Sequence, residues 1–394
     1  MKLQARSSRD LSVALSKSAK CIGSKNTIAI LDNVLLWQDE EGNFFFTSAT
    51  SDAQLTLPAP ITIVEGKFDA PIALPIKTIM PFLNTLPDCT ITFNFVSEQK
   101  LTLEYCTSIG DKTKSGQASF TYFSGNEFPR MAKPAKDGLH IKFPGNVVQG
   151  AIEKSRNFIS NNELRPVMCA LCVDVVDDLS EAVFVATTGH VLYKQIVSND
   201  PAQGGVEFYQ SGSPDKILIH SQYFRPITVF AGAEQVDIMS DGHSICLAAD
   251  NMELICKAIE ARYPNYNAVI PRGNPYHICF DKQEMLSVIR RVSMFSSSAS
   301  NMIVLEKDGL FFKISAQDED FGTSADDEVV IISADCPDHF KIGFKASSLA
   351  DVINTIDGAT IRLSLSDPTH AGVVTEDVPS PRVTTLVMPL LIND

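Results

Sequence analysis

One segment of this chain occurs three times. LPIKTIMPFLNTLPDCTITF (74–93) aligns without a gap on IHSQYFRPITVFAGAEQVDI (219–238) and on FKASSLADVINTIDGATIRL (344–363), at offsets of 145 and 270 residues. Pro81 falls on Pro226, and Asn84-Thr85-Leu86 on Asn354-Thr355-Ile356. The alternating Ile91 and Phe93 fall on Val236 and Ile238, then on Ile361 and Leu363. Stacked short repeats have periods of about 20–50 residues, so a spacing this long describes repeated domains. Whatever fold one copy takes, the chain has to take it three times.

Two further elements keep their order around that segment. EEGNFFFTSA (40–49) matches KDGLFFKISA (307–316), with EAVFVATTGH (181–190) as a looser middle copy, and each reads as part of a hairpin. SRDLSVALSKSAKCI (8–22), GNVVQGAIEKSRNFI (145–159) and DKQEMLSVIRRVSMF (281–295) carry apolar residues at helical spacing. In the last, Met285, Val288, Ile289 and Val292 define one buried face, and Asp281 followed by Glu284 is a capping signal. EFPRM (127–131) and RYPNY (262–266) close the first two copies, and MAKPAKDG (131–138) and IPRGNPYH (270–277) have the composition of linkers. The expected fold class is therefore α+β in three repeated domains, 1–134, 135–271 and 272–394, each running helix, hairpin, strands, helix, strands. Pro81 and Pro226 fall inside two of the helices and should kink or shorten them.

Several function classes can be set aside. With 44% apolar and 20% charged residues the chain has an ordinary globular composition, and its apolar runs are too short to span a membrane. The opening MKLQARSSRDLS lacks the apolar block of a signal peptide, and nine cysteines without one suggest free thiols in a reducing cytoplasm. No phosphate-binding glycine loop, nucleophile elbow or metalloprotease helix is present. Cys169 and Cys172 have C-x-x-C spacing but no second ligand pair, so they read as core residues of a strand. Asp326-Asp327-Glu328 reads as a solvated loop, and the seven scattered histidines suggest no metal site. No cofactor is expected. VATTGHVLYK (185–194) leaves two readings open. His190 could serve Thr187 or Thr188 as the base of a hydrolase or transferase, or the turn could be non-catalytic.

Charge is distributed unevenly. The six repeated helical segments hold eleven lysines and arginines against five aspartates and glutamates, in a chain of net charge −14. The eleven are Arg9, Lys17, Lys20, Lys77, Lys154, Arg156, Arg225, Lys282, Arg290, Arg291 and Lys345. They describe either a basic surface able to hold phosphates on an acidic body, or the ordinary solvated faces of amphipathic helices.

The succession ELRPVMCALC (163–172), FVATTGHVLYK (184–194), ARYPNYNAVIP (261–271) and LVMPLL (386–391) resembles the beta subunit of bacterial DNA polymerase III, the sliding clamp family. The resemblance covers the full length. It implies a homodimeric ring of two subunits joined head to tail, each of three domains with two helices packed on antiparallel sheets, the helices lining a central hole. It implies a non-catalytic processivity factor, with duplex DNA, the replicative polymerase and the clamp loader as partners, and no membrane, metal or cofactor. Carried over by position, a hydrophobic peptide-binding pocket would comprise Met168, Thr187, Gly189, His190, Val191, Leu192, Pro264, Ala268, Val269, Leu386, Met388, Pro389, Leu390 and Leu391. DNA contacts would add Lys25, Asn162 and Arg165, with Pro166 where the family often has tyrosine. The ring interface would use Phe120 and Tyr122 on an edge strand against Met294 and Phe295. Arginines common in the family are replaced by Val191, Ala268 and Leu391, so the pocket would be more apolar. A diverged clamp, from a mobile element and serving another partner, would show the same departures. The chain also runs on past the usual tail to Asn393-Asp394.

Overall fold

A computed structural model describes residues 1–392 apart from 24, 27, 110–111, 176–180, 199–206 and 211–215; for 108–109, 112–113 and 207–210 it describes the backbone alone. Asn393 and Asp394 lie outside the described residues.

The first copy of the repeat runs β1 (Lys2–Ala5), α1 (Ser8–Ser18), β2 (Val34–Gln38), β3 (Phe44–Ala49), β4 (Ala53–Pro58), β5 (Thr62–Glu65) and β6 (Ile72–Leu74). It continues with α2 (Ile76–Leu83), β7 (Thr90–Ser97), β8 (Lys100–Ile109), β9 (Lys112–Thr121) and the short β10 (Phe123–Ser124). The second copy begins β11 (Leu139–Pro144), α3 (Gly145–Ser155), β12 (Ala170–Val175), β13 (Glu181–Thr187), β14 (Val191–Ser198), β15 (Glu207–Gln210) and β16 (Lys216–His220). Helix α4 (Phe224–Ile227), β17 (Gln235–Ser240), β18 (Ser244–Ala249) and β19 (Met252–Lys257) complete it. In the third come β20 (Tyr276–Asp281), α5 (Lys282–Ser293), β21 (Met302–Asp308), β22 (Phe311–Asp318), β23 (Thr323–Val330), β24 (Ser333–Ala334) and β25 (Lys341–Lys345). It ends with α6 (Ala346–Asn354), β26 (Thr360–Leu365), β27 (Gly372–Glu376) and β28 (Val383–Val387). Strand, helix, five strands, helix and strands thus recur in one order.

The described chain divides into two compact units. One comprises Met1–Gln149, Glu207–Pro214 and Gln222–Ala258, and the other Gly150–Val206, Asp215–Ser221 and Ile259–Asp394. The first holds a five-stranded sheet, β5-β1-β7-β8-β9, and a ten-stranded sheet, β10-β6-β2-β3-β4-β19-β18-β17-β11-β15. The second holds a nine-stranded sheet, β16-β12-β13-β14-β28-β27-β26-β20-β24, and a four-stranded sheet, β23-β22-β21-β25. Each large sheet is made of the early strands of one copy joined to the late strands of the next. The joints are the antiparallel pairs β4·β19 and β14·β28.

Helix ends follow the sequence closely. Ser7 caps α1 by accepting from the Asp10 N–H at 3.0 Å, and Asp281 caps α5 by accepting from the Glu284 N–H at 2.8 Å. The face of α5 formed by Met285, Val288, Ile289 and Val292 is buried as the spacing requires. In the first unit Leu11 and Leu15 of α1 and Ile79 and Leu83 of α2 join Leu3, Phe93 and Leu101 in one core. Each such side chain contributes on the order of 1.5–3 kcal/mol over its exposed state. Proline clearly shortens the second helix in the second copy, but hardly in the first, where α2 has eight residues. Pro226 leaves α4 only four residues long between 3-10 turns at Ser221–Tyr223 and Thr228–Phe230, whereas α6, without proline, has nine. Pro81 sits two residues before the end of α2.

The acidic run corrects the reading above. Asp326-Asp327-Glu328 lies in β23, the edge of the four-stranded sheet, and not in a loop. Its register with β22, from Phe311↔Val330 to Asp318↔Thr323, and the buried Val329 outweigh the poor strand propensity of the carboxylates. Cys169 and Cys172 are buried, at the end of a 3-10 turn (Pro166–Cys169) and within β12. No described helix is long and apolar enough to cross a membrane.

Candidate functional site

The turn between β13 and β14 is built by its two threonines. The Thr188 N–H donates to the Val191 carbonyl at 3.2 Å, and the Thr188 hydroxyl oxygen accepts from the N–H groups of His190 (3.3 Å) and Val191 (3.4 Å). Thr187 Oγ1 donates to the Val191 carbonyl at 2.8 Å and accepts from the Gly189 N–H at 3.0 Å. Gly189 has φ +93°, a region that disfavours any side chain, so the tip requires glycine. Both hydroxyls are therefore occupied with backbone. Among the described residues no hydrogen bond reaches the His190 ring, which lies exposed. The expected alternative of a base–hydroxyl pair between His190 and Thr187 or Thr188 is not assembled; the threonines shape a turn.

What the turn meets is the end of the chain. Val191 pairs with Val387 and Leu192 with Leu386 across β14·β28, and the Met388 N–H donates to the His190 carbonyl at 2.8 Å. Leu192 and Leu386 are buried in one cluster with Ala170, Cys172, Tyr263 and Tyr266. The tyrosines close this cluster from the Arg262–Ile270 segment. Tyr263 donates to the Val185 carbonyl at 3.3 Å and Tyr266 to Asp174 Oδ2 at 2.8 Å. Burial, and for Tyr266 then the Asp174 carboxylate, raises both phenols well above the usual range and keeps them as donors. Neither tyrosine was selected from sequence, although the aromatic-Pro-x-Tyr pattern contains both.

Around this cluster the remaining pocket candidates take different positions. Pro264 is half-buried between the tyrosines, Ala268 is exposed, and Val269 is 58% exposed beside Ile270, which packs on the cluster. Met168 is half-buried in the 3-10 turn beside Val167, another neighbour of the cluster. Past β28, Met388 is 37% and Leu391 72% exposed, with Pro389 half-buried. Leu390 bends back, its N–H donating to the Gly343 carbonyl of β25 at 2.8 Å. The ladder thus brings His190, Val191, Leu192, Leu386 and Met388 together; Met168, Pro264, Ala268 and Val269 come from neighbouring segments of the same unit.

The basic candidates divide by how they are held. In the first unit Arg9, Lys17, Lys25 and Arg225 are exposed, and Lys20 Nζ donates to Thr228 Oγ1 at 2.7 Å. Burial, then Lys17 and Arg225, lowers the Lys20 ammonium from its ordinary value, which marks a local concentration of positive charge. Lys77 pairs with Asp32 at 2.9 Å. In the second unit Arg156, Arg290 and Lys345 are exposed, as are Asn162, Arg165 and Pro166 in the segment before β12. Other basic side chains there are committed within the chain. Lys154 bonds Asp357, Arg291 bonds Asp327 at 2.6 Å, and Lys282 donates to the Asn354 and Ile356 carbonyls at the end of α6.

The interface candidates lie at edges. Phe120 is on β9, the edge of the five-stranded sheet, with its ring 5.8 Å from Phe82; Tyr122 follows that strand and its ring meets Phe95 at 5.4 Å. Met294 caps the C-terminal end of α5 and is 73% exposed, beside the exposed Phe295. A set of metal-compatible donors, Glu163, Cys169 and His220, is also brought together, although nothing in the spacing of those residues marked it.

Comparison with known proteins supplies the context. Residues 267–391 match the model of the DNA polymerase III beta subunit, C-terminal domain. The beta sliding clamp of Caulobacter vibrioides is 27% identical over 390 residues, 96% of each chain, and that of Synechococcus elongatus is 25% identical over 401 residues, 99% of each. Among solved structures, a DnaN sliding clamp (DNA polymerase III subunit beta) from Pseudomonas aeruginosa bound to griselimycin superposes with a TM-score of 0.85 at 20% identity over the whole of both chains. The Bacillus subtilis DNA polymerase sliding clamp gives 0.84 at 18%, again over both whole chains. Its last third thus matches the C-terminal domain of the DNA polymerase III beta subunit, and over its full length the chain is similar in sequence and fold to bacterial beta sliding clamps.

Proposed function

We propose that two copies of this chain close head to tail into a ring around duplex DNA and act as a processivity factor, with three domains per copy, 1–134, 135–271 and 272–394. The observation that carries the reading is the rule by which the sheets are joined. β4 pairs with β19, the last strand of the following copy's late half, and β14 pairs with β28 in the same way. The third member of that series, β23, is a sheet edge, and so is β9, the strand equivalent to β19 and β28. Exposed edges invite pairing. Pairing β23 with β9 of a second copy would join the four-stranded and five-stranded half-sheets into nine strands, the size of the complete sheet at β14·β28. Two such joints close a two-subunit ring, since head-to-tail contacts either close or run on as filaments. Phe120, Tyr122, Met294 and Phe295 would flank the joints.

The ring holds DNA by topology, so its contacts need only be weak and blind to sequence, which suits a chain of net charge −14 with scattered cations. Arg9, Lys17, Lys20, Lys25 and Arg225 in the first unit, and Arg156, Asn162, Arg165, Arg290 and Lys345 in the second, are the contacts we assign. Lys77, Lys154, Lys282 and Arg291 would first have to leave their present partners. No catalysis is involved. Tethering makes each rebinding of the polymerase effectively intramolecular, and that raises its local concentration at the template. We place this work in the cytoplasm, where the chain's nine cysteines would stay reduced.

The replicative polymerase and the clamp loader would dock through short apolar peptide motifs at the β14·β28 joint, where Met388, Leu391 and Val269 offer apolar surface beside the polar rim of His190. Methionine and leucine adapt to several partners. Fluorescence anisotropy with a labelled apolar motif peptide from the host polymerase tests this. Saturable binding that Met388→Ala and His190→Ala both weaken is the expected result. Absence of saturable binding at high micromolar protein would overturn the docking site.

A further inference from the structure

We propose that Glu163, Cys169 and His220 form a binding site for one thiophilic divalent cation of the zinc class. Their donor atoms, a carboxylate oxygen, Sγ and a ring nitrogen, all lie within 4.8 Å of one another. His220 Nε2 and Glu163 Oε2 are already 3.4 Å apart. Tetrahedral zinc, with bonds of about 2.0–2.3 Å, sets its ligand atoms roughly 3.3–3.7 Å apart, so closure requires side-chain movements on the order of 1 Å.

Sheet register places two of the ligands. Ala170, the first residue of β12, pairs with His220, the last of β16, so Cys169 enters the sheet beside that imidazole. Glu163 reaches in from the exposed segment before the 3-10 turn, with a side chain free enough to adjust. The Cys169 thiol has only long contacts, to the Asn162 carbonyl at 3.4 Å and the Arg165 carbonyl at 3.8 Å. Sulfur with imidazole nitrogen and carboxylate suits zinc or a similar transition ion and disfavours magnesium or calcium, which take oxygen ligands. Three protein ligands leave a fourth position for solvent. On binding, the Cys169 thiol proton passes to solvent and the thiolate takes the metal.

A bound ion would tie the 160–165 segment to the edge strand β16. That segment carries Asn162 and Arg165, so a consequence for DNA contact rests on the clamp reading. The metal site itself does not.

The test is a cobalt(II) titration of the full chain after chelator treatment, without DNA or peptide, so that its failure is separate from any failure of the clamp reading. Expected are one equivalent per chain, a thiolate-to-cobalt charge-transfer band, visible bands of four-coordinate intensity, and displacement by zinc. Cys169→Ser should remove the charge-transfer band. Glu163→Gln, at an exposed position that cannot disturb the core, should weaken binding by at least about tenfold. Cys106→Ser, at the exposed cysteine, should change nothing. The proposal is overturned if no charge-transfer band forms, if the band survives Cys169→Ser or is lost in Cys106→Ser, or if Glu163→Gln binds cobalt as the wild type does. The Glu163→Gln arm decides alone should Cys169→Ser not fold.

Discussion

The joints β4·β19 and β14·β28 have one backbone and two surfaces. In each, a threonine hydroxyl organises the preceding turn: Thr50 accepts from the N–H groups of Asp52 (3.2 Å) and Ala53 (3.0 Å), as Thr188 does from His190 and Val191. In each, the third residue of the turn receives the returning strand, Lys257 N–H donating to the Asp52 carbonyl at 2.9 Å and Met388 N–H to that of His190 at 2.8 Å. The side chains at the matched positions differ. Asp52 and Lys257 form an ion pair at 2.5 Å, while His190 and Met388 form none and the chain continues through Pro389, Leu390 and Leu391. A joint that is only structural can be sealed by charge. One whose tip stays apolar and exposed has surface left to offer a partner.

That comparison can be broken at several strengths. The largest effect should come from the shared core. Leu386→Ala and Leu254→Ala remove buried side chains at equivalent strands and should each cost about 2–5 kcal/mol in urea unfolding. A loss below about 1 kcal/mol at either would mean that the joint's apolar pairs do not hold it. Next, Met388→Ala should lower peptide affinity by roughly tenfold to a hundredfold, the equivalent of about 1.5–3 kcal/mol of apolar burial. The same change should leave stability within about 0.5 kcal/mol, because the side chain is partly exposed in the free protein.

The smallest effect is electrostatic. The Lys257 ammonium, then the Ser51 hydroxyl, hold the Asp52 carboxyl below its ordinary value. A depressed folded-state pKa contributes stability above the unfolded value, near pH 4, and that contribution is lost as pH falls through the folded value. Wild type and Lys257→Ala should therefore differ by at most about 1 kcal/mol at neutral pH, since the pair is exposed, and converge in acid. Met388→Ala should show no such convergence. Melting curves across pH 2–7 would separate the two joints, and an acid-independent difference for Lys257→Ala would refute the ion-pair account.

Much of this architecture is legible in the sequence, because domain repetition and amphipathic period are local signals. The three copies show as matching segments at offsets of 145 and 270 residues, and the α5 face, the Asp281 cap and the shortening at Pro226 follow from residues a few positions apart. Asp326-Asp327-Glu328 misleads because a strand at a sheet edge is decided by its partner, β22, and not by its own propensity. Tyr263 and Tyr266 escape notice for a related reason: their hydrogen bonds go to Val185 and Asp174, nearly eighty and more residues away. The Glu163, Cys169 and His220 set depends on the β12·β16 register, which no sequence spacing encodes. At the candidate site, VATTGHVLYK gives the turn and LVMPLL its neighbour, but only the ladder shows that the threonine hydroxyls are spent on backbone.

The central claim is that the joint seen twice within the chain is made a third time between chains, by β23 and β9. Sedimentation equilibrium over a wide concentration range tests it most directly. The account predicts a closed species of twice the chain mass that stays at that mass as concentration rises. A monomer at high micromolar concentration, or a mass that keeps growing as filaments extend, would contradict it.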